Sequence, residues 1–199
     1  MRVLIGCEES GVVRDAFEKR GHDAWSNDLI PARNGGKHLQ KCVKRAIVED
    51  GPWDVIILHP DCTKVTVSGN STYGTGMPKN NERFEAIEWT NDLFALAIKH
   101  AKKGVALENP VGVLGKMSGI KAIYIHPWQF GHPEQKKTGL WLHRLPPLEP
   151  TKNVYEEMMK LPKCKRERNH YMSPGPNRKR DRSETYKGIA DAFAEQWGV

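Results

Sequence analysis

Three short apolar runs, each followed by polar residues, constrain the fold of this chain more than any other feature. The runs cover residues 3–7, 53–58 and 105–107, and none of them shows strict polar–apolar alternation. Such runs are typical of parallel strands that are buried on both faces of a sheet. Between them, apolar residues recur at helical spacing from Ser10, a predicted N-cap, to Gly21 and again from Phe84 to Gly104. This order of elements predicts an open α/β sheet with helices on both faces.

The remaining predicted elements are shorter, and the C-terminal helix is the clearest of them. Ile189, Phe193 and Trp197 recur at helical spacing, which predicts a helix over residues 185–197 that docks on the core. A length of 199 residues without an internal repeat predicts one compact domain over residues 1–199. The other predicted elements are a strand over residues 22–27 that ends at Asp28, a helix over residues 43–49, and two antiparallel strands over residues 123–125 and 139–142.

The composition excludes several classes of protein. No apolar run approaches the roughly 18 residues of a transmembrane helix, and the mean hydropathy is −0.63. Glu8 and Glu9 bring charge too early for a secretory leader, so a cytoplasmic protein is expected. The cysteines form no CxxC pair and have no matching histidine spacing, which predicts free thiols and no metal site. They are Cys7, Cys42, Cys62 and Cys164.

A basic segment, residues 163–182, carries most of the net charge. It holds eight Lys or Arg residues against Glu167 and Asp181, a net +6 out of the +7 of the whole chain. Such a block predicts an exposed or disordered segment and a polyanion partner such as nucleic acid, with mere solubility as the equally weighted alternative. Residues 173–177 are expected to resist regular structure. The side chains predicted to meet nucleic acid here are Arg178, Lys179, Arg180 and Arg182.

Polar clusters follow the predicted parallel strands and predict one binding site. In open α/β sheets, ligands bind beyond the carboxyl ends of the strands. Gly6 and Gly11 do not form the G-x-G-x-x-G pattern of a pyrophosphate site, and the two glutamates between them favour a cationic or neutral cofactor. The clusters are residues 8–11, Asp28, residues 59–63 and residues 108–110.

Two of these clusters could carry covalent chemistry together. Cys62 follows a predicted buried strand, and a thiolate can add to an electron-poor carbon. Glu108 ends a neighbouring strand, where a carboxyl group could protonate or hydrogen-bond the substrate while the thiolate attacks. Taken alone, a cysteine such as Cys62 is more often a buried structural thiol, and a lone aspartate such as Asp28 is more often a solvated turn residue. The histidines, His59 among them, lack metal spacing and are expected to pack or to hydrogen-bond locally.

The order of these motifs resembles that of the S-adenosylmethionine-dependent DNA cytosine-5 methyltransferases. Over almost the whole chain, the sequence more closely resembles small cytosine methyltransferase-like proteins of phages and prophages. The resemblance rests on RVLIGCEESGVVRDAFEKRGHDAWSNDL, HPDCT, ALENP, PWQFGHPEQKKTGLWL and GIADAFAEQW. It implies a Rossmann-like class I methyltransferase sheet, mostly parallel with antiparallel late strands.

The resemblance also implies a cofactor, a partner and roles for individual residues. Cys62 would add to C6 of a cytosine flipped out of duplex DNA, and Glu108 would contact N3 and the exocyclic amine, with Asn109 beside it. Asp28 would hold the ribose of S-adenosylmethionine. The residues implied to line the cofactor site are Gly6, Cys7, Glu8, Gly11 and Pro60, and those implied to match the family's glutamine-arginine strand facing the nucleic acid are Gln135, Lys136 and Lys137.

The chain departs from the family pattern in three places. Residues 60–63 read Pro-Asp-Cys-Thr where the family usually has Pro-Pro-Cys-Gln, and residues 108–110 read Glu-Asn-Pro where it has Glu-Asn-Val. An aspartate beside Cys62 disfavours its thiolate. Residues 138–162 leave no room for a separate target-recognition domain. Two alternatives therefore stay open: a catalytically weak nucleic-acid-binding protein, or a related transferase that acts on RNA or a nucleotide or adds a group other than methyl.

Overall fold

A computed structural model describes residues 1–199, and one seven-stranded sheet organises them. The strands are β1 (Arg2–Gly6), β2 (Asp23–Asp28), β3 (His38–Gln40), β4 (Trp53–Leu58), β5 (Ala101–Pro110), β6 (Ile123–Ile125) and β7 (Thr138–His143). The helices are α1 (Val12–Lys19), α2 (Val43–Glu49), α3 (Asn70–Tyr73), α4 (Asn80–His100), α5 (Tyr155–Met159), α6 (Lys163–Arg166), α7 (Arg168–Tyr171), α8 (Arg178–Ser183) and α9 (Lys187–Trp197). None of the helices is both long and apolar enough to cross a membrane.

The strand order is β3-β2-β1-β4-β5-β7-β6. Strands β1 to β5 pair in parallel, whereas β7 runs antiparallel to both β5 and β6. The chain reverses its direction of travel across the sheet between β1 and β4, which is where open α/β sheets form their ligand crevice. The predicted fold class, a mostly parallel α/β sheet with antiparallel late strands, is confirmed.

Apolar side chains leave the sheet on both faces and form two core clusters. Ile5 and Ile57 face a cluster with α1 and α9, which includes Phe193 and Trp197. The next residues along the strands, such as Ile56, face a second cluster with α2 and α4. Helix α9 therefore packs against the sheet through its apolar residues. Because successive strand residues point to opposite faces, unalternated apolar strands need cover on both sides, as observed.

Several local predictions were wrong. Gly11, at φ 75°, and not Ser10 is the N-cap of α1. Phe84 is 61% exposed on α4, because the helix buries its neighbour Arg83 instead. The basic segment is mostly exposed but contains the short helices α6, α7 and α8, and its residues outside these helices are Glu167 and residues 172–177, which include the stretch 173–177 expected to resist regular structure. Strand β3 and helix α5 were not predicted.

Candidate active site

The carboxyl ends of β1, β2, β4 and β5 lie side by side and form one edge of the sheet, the carboxyl edge. Gly6 pairs with Asn27 of β2 and with Leu58 of β4, and Leu58 pairs with Leu107 of β5. The backbone N–H of His59 donates to the carbonyl of Gly6 at 2.9 Å, so the loop after β4 stays against β1. The residues that the sequence predicted to form one site therefore follow adjacent strands at this edge.

His59 and Glu108 form a side-chain pair at the carboxyl edge. Nδ1 of His59 lies 3.2 Å from Oε2 of Glu108, and the two side chains are only 10% and 15% exposed. Burial alone would raise the pKa of Glu108, but the hydrogen bond and charge of His59 and the charge of Lys136 hold it below its ordinary value. Nε2 of His59 is buried without a partner in the protein. The prediction that His59 only packs or bonds locally missed this long-range pair.

Cys62 lies in the loop between His59 and the short helices that precede α4. Its carbonyl accepts hydrogen bonds from the N–H groups of Val65 and Thr66, both at 3.1 Å, which fixes the turn that carries the thiol. Burial raises the pKa of this thiol, and the negative charges of Glu108 and Asp61 raise it further, against the opposing charge of Lys136. The free thiol is therefore mostly protonated at neutral pH.

The Asp61 carboxylate makes hydrogen bonds to Thr63 and Lys179 and none to Cys62. Oδ1 accepts from the backbone N–H of Thr63 at 3.0 Å and from its hydroxyl at 2.6 Å. Oδ2 pairs with Nζ of Lys179, from the basic segment, at 3.2 Å. The negative charge of Asp61 still raises the pKa of Cys62, as expected, although both carboxylate oxygens bind other groups.

Asn109 ties the loops after β4 and β5 together. Its side chain is 1% exposed, and Nδ2 donates to the carbonyl of the buried Pro60 at 3.1 Å, while Oδ1 has no partner in the protein. Asn109 thus fixes the distance between the loop that carries Cys62 and the strand end that carries Glu108. The predicted roles of Asn109 in catalysis and of Pro60 in cofactor binding stay predictions.

The loop after β1 contains the residues predicted to line a cofactor site. The Glu8 carboxylate is buried and accepts hydrogen bonds from the N–H of Val13 at 2.7 Å and from the Ser10 hydroxyl at 3.1 Å. Gly11 is the N-cap residue, but the Glu8 carboxylate accepts the hydrogen bond from the first turn of α1 that the sequence had assigned to the Ser10 side chain. Position 11 requires glycine for two reasons. Its backbone is left-handed, and the side chains of Asn34 and Arg14 occupy the space that a Cβ would need.

An acidic and thiol-lined surface joins the ends of β1 and β2. Burial raises the pKa of Cys7 to about 12, and the nearby charges of Asp28 and Asp61 contribute. Oδ1 of Asp28 accepts from the N–H groups of Leu29 and Ile30, whereas Oδ2 makes no hydrogen bond within the protein. A partly exposed carboxylate with a free oxygen suits ribose hydroxyls, and the negative surroundings suit a sulfonium cation better than a phosphate. The residues present thus fit S-adenosylmethionine.

Gln135, Lys136 and Lys137 lie in the loop before β7 and not in a strand, which corrects that part of the prediction. Lys136 is nevertheless close to the site, since its charge acts on both Glu108 and Cys62. Its Nζ also donates to the carbonyl of Arg182 at 3.0 Å. Gln135 and Lys137 are exposed.

The basic segment folds back toward the carboxyl edge instead of projecting away from it. Lys179 pairs with Asp61, and Arg33 bridges Glu9 to Glu184 just beyond the segment. Arg180 pairs with its neighbour Asp181 at 3.2 Å, and Arg178 donates to the carbonyl of Met172 at 2.8 Å. The charged segment and the loop that carries Cys62 therefore share one surface.

Arg83 and Gly112 position the loop after Cys62, and sequence reasoning missed both. The Arg83 guanidinium is buried and donates to the carbonyls of Lys64 at 2.7 Å and Thr66 at 3.3 Å. Gly112 lies opposite Thr66 in an isolated β-bridge. The sequence shows Arg83 only as an arginine next to the apolar repeat of α4, and the spacing of that repeat does not indicate that the arginine is buried.

Gly112→Ala should loosen this junction. A Cβ at position 112 would overlap the carbonyl oxygen of Val65, so the two loops must separate. We expect a loss of about 1–3 kcal/mol in the free energy of unfolding, measured by urea titration. Gly115→Ala is the matched control, because a Cβ there meets no atom within 4 Å. Equal stability of the two variants would contradict the assigned close contact.

Comparison with known proteins supports the fold. No protein-family model matches the chain, and no curated protein matches it. Among solved structures, a methyltransferase of Entamoeba histolytica is similar over 77% of this chain and 57% of its own, at 15% identity and a TM-score of 0.52. The chain shares the Rossmann-like fold of this solved structure. Sheets of this kind place their ligand crevice at the carboxyl edge described above.

A second solved structure is more distant. A protein encoded within an E. coli prophage, described as a DNA modification methyltransferase, aligns with 71% of this chain and 46% of its own, at 15% identity and a TM-score of 0.46. The chain spans about half the length of the solved structures that it matches here. The structure contains no group of three or more His, Cys, Asp or Glu side chains arranged to hold a metal ion.

Proposed function

We propose that this protein transfers a methyl group from S-adenosylmethionine to C5 of cytosine in DNA, through a covalent adduct with Cys62. The observation that carries the proposal is the placement of Cys62 in the loop after β4 and of Glu108 near the end of the adjacent strand β5. The two side chains are close enough for the charge of Glu108 to raise the pKa of Cys62. The fold shared with a solved methyltransferase supports a methyl-transfer reaction in general. The resemblance to the cytosine-5 enzymes supports the choice of base and atom.

The cofactor would occupy the carboxyl edge between β1 and β2. Asp28 would accept hydrogen bonds from the ribose hydroxyls, and the loop from Gly6 to Gly11 would follow the rest of the molecule. Cys7 and Pro60 would line the side toward β4. When bound, S-adenosylmethionine supplies an electrophilic methyl group on a positively charged sulfur.

Cys62 and Glu108 would act on opposite parts of the cytosine ring. Addition of the Cys62 thiolate to C6 makes C5 electron-rich, and a carboxyl group at N3 stabilises the charge that the addition places on the ring. Asn109 keeps the two residues in register through its bond to the carbonyl of Pro60. The raised pKa of Cys62 favours a thiol that loses its proton only when the substrate is in place.

Nucleic acid would approach over the surface that the basic segment shares with the carboxyl edge. Lys136 places positive charge close to Cys62, and Lys179 pairs with Asp61 beside it. Arg180 adds positive charge next to Lys179 in the basic segment. Surface ion pairs such as that of Lys179 with Asp61 contribute only about 0–1 kcal/mol, so phosphates can replace them at little cost. A cytosine inside a duplex must leave the base stack to reach the thiol.

Asp28→Ala should weaken the binding of S-adenosylmethionine. Removal of the carboxylate removes charge-assisted hydrogen bonds worth about 1.5–3 kcal/mol, which corresponds to a roughly 10- to 100-fold higher Kd by calorimetry. Asp92→Ala, at an exposed position of α4, is the control. Unchanged affinity in Asp28→Ala would leave Asp28 a turn residue, and no binding in the unaltered protein would remove the cofactor from the proposal.

The reaction itself is tested by transfer of a labelled methyl group from S-adenosylmethionine to DNA. Parallel reactions with RNA and with free cytidine nucleotides separate DNA from the related substrates. Incorporation into DNA alone supports the proposal, and incorporation into none of the three contradicts it.

A further inference from the structure

We propose that His59 is a positioning residue for Glu108, which it orients through Nδ1 and supplies with the proton that cytosine N3 takes up. This inference rests on the proposed function and deepens it. It assigns a task to a side chain to which the cytosine-5 resemblance gives no role.

The geometry of the pair supports the assignment. Nδ1 of His59 lies 3.2 Å from Oε2 of Glu108, and both side chains are largely buried. The backbone N–H of His59 is held by the carbonyl of Gly6, so the ring is anchored at the junction of β1 and β4. A hydrogen bond from an anchored ring fixes the rotamer of the carboxyl group and leaves Oε1 free to face a base.

The charges around the pair favour a single shared proton. The groups whose charges are coupled to the pair are Glu8 after β1, Lys136 before β7 and Cys62 in the loop after β4. Because His59 and Lys136 lower the pKa of Glu108, the carboxyl group is ionised in the resting protein. A carboxylate cannot donate to N3, so the proton must come from a neighbour, and His59 is the hydrogen-bonded one.

The proton then follows a closed path. The Cys62 thiol first loses its proton to solvent. When the thiolate forms the sulfur–C6 bond, the electron pair of the C5–C6 double bond moves into the ring, and a proton passes from Nδ1 of His59 to Glu108 and from Glu108 to N3. After C5 has taken up the methyl group, solvent removes the proton of C5, the C5–C6 double bond forms again and the sulfur–C6 bond breaks to free the thiolate. The proton on N3 then returns through Glu108 to His59. The pair is unchanged after each turnover.

His59→Asn tests this role, because an asparagine amide can still donate a hydrogen bond to Glu108 but carries no titratable proton. The reaction needs the Cys62 thiolate and a protonated pair at once, so kcat/KM should form a plateau with a lower limb on its acid side. In His59→Asn the proton must sit on Glu108 itself. A carboxyl group ordinarily releases its proton at a lower pH than an imidazolium does, so the lower limb should move toward acid. The plateau should fall by about 100-fold or more, the loss expected when a proton donor is removed.

Two results would overturn the inference. One is a plateau in His59→Asn equal to that of the unaltered protein, and the other is a loss of activity with the lower limb unmoved, which would mean a purely structural role. His143→Asn, at the opposite end of β7, is the control and should leave the profile unchanged.

An NMR spectrum of the His59 ring separates failure of this inference from failure of the proposed function, because it needs no turnover. The Nδ1 proton that His59 shares with Glu108 should give a signal protected from exchange with solvent in the unaltered protein, and Glu108→Ala should abolish that protection because the acceptor is gone. If no methyl transfer is found but this signal behaves as expected, the proton-sharing pair stands and the proposed reaction falls. An Nδ1 proton that exchanges equally fast in both proteins removes the pair whatever the activity.

Discussion

Replacing Cys62 with alanine should lower methyl transfer by roughly 10⁴-fold or more, the order of loss seen when a covalent nucleophile is removed from an enzyme. The physical reason is that C5 of cytosine becomes nucleophilic only after a thiolate has added to C6. Cys62 sits in a loop at the carboxyl edge, so its loss should leave the unfolding temperature and the affinity for S-adenosylmethionine nearly unchanged.

The controls for Cys62→Ala are changes at the two exposed cysteines, Cys42→Ser and Cys164→Ser. Cys42 lies on the cofactor side of the sheet and Cys164 in the basic segment, so the two variants together show whether loss of any other thiol affects the reaction. DNA that contains 5-fluorocytosine should trap a covalent adduct with the unaltered protein and with both serine variants, but not with Cys62→Ala. Full activity in Cys62→Ala would eliminate the covalent mechanism.

Replacing Arg178, Lys179, Arg180 and Arg182 with alanine should flatten the salt dependence of DNA binding. Each phosphate contact releases condensed counterions, so the logarithm of affinity falls by about 0.9 per contact for each unit in the logarithm of salt concentration. If each side chain meets one phosphate, the slope should drop by as much as three or four units. The loss should be similar for different DNA sequences, because phosphate contacts position a protein without reading bases.

A matched variant removes the same charge from the other end of the molecule. Lys19, Lys99, Lys102 and Lys103 are exposed at the amino ends of the strands, away from the carboxyl edge. Their replacement by alanine should leave the slope close to that of the unaltered protein. Equal slopes in both quadruple variants would show that residues 178–182 serve solubility and do not bind nucleic acid.

The sequence predicted the sheet well because buried parallel strands have a simple signature. Residues 53–58 became β4 with the predicted bounds, and residues 105–107 became the centre of the longer β5. The short strand His38–Gln40 was not predicted because it has no apolar run and is stabilised by its pairing with β2. Phe84 was misplaced because helical spacing cannot show that a neighbouring arginine is the buried residue.

The sequence predicted which strand ends would form the site but not how their side chains pair. The proximity of Cys62 and Glu108 could be predicted because the carboxyl ends of parallel strands lie at one edge of the sheet. The bond between His59 and Glu108 joins residues 49 positions apart, and no local pattern encodes that distance. The return of Lys179 to Asp61 likewise depends on the path of the basic segment across the surface.

The central claim is that C5 of cytosine in DNA receives the methyl group, and nucleoside mass spectrometry tests it most directly. DNA incubated with the protein and S-adenosylmethionine, with Cys62→Ala as the control, would be digested to nucleosides and compared with standards. We expect 5-methylcytosine in the digested DNA, and we expect it to be absent when Cys62→Ala replaces the unaltered protein. N4-methylcytosine, N6-methyladenine, or no modified nucleoside in the presence of demonstrated cofactor binding would contradict it.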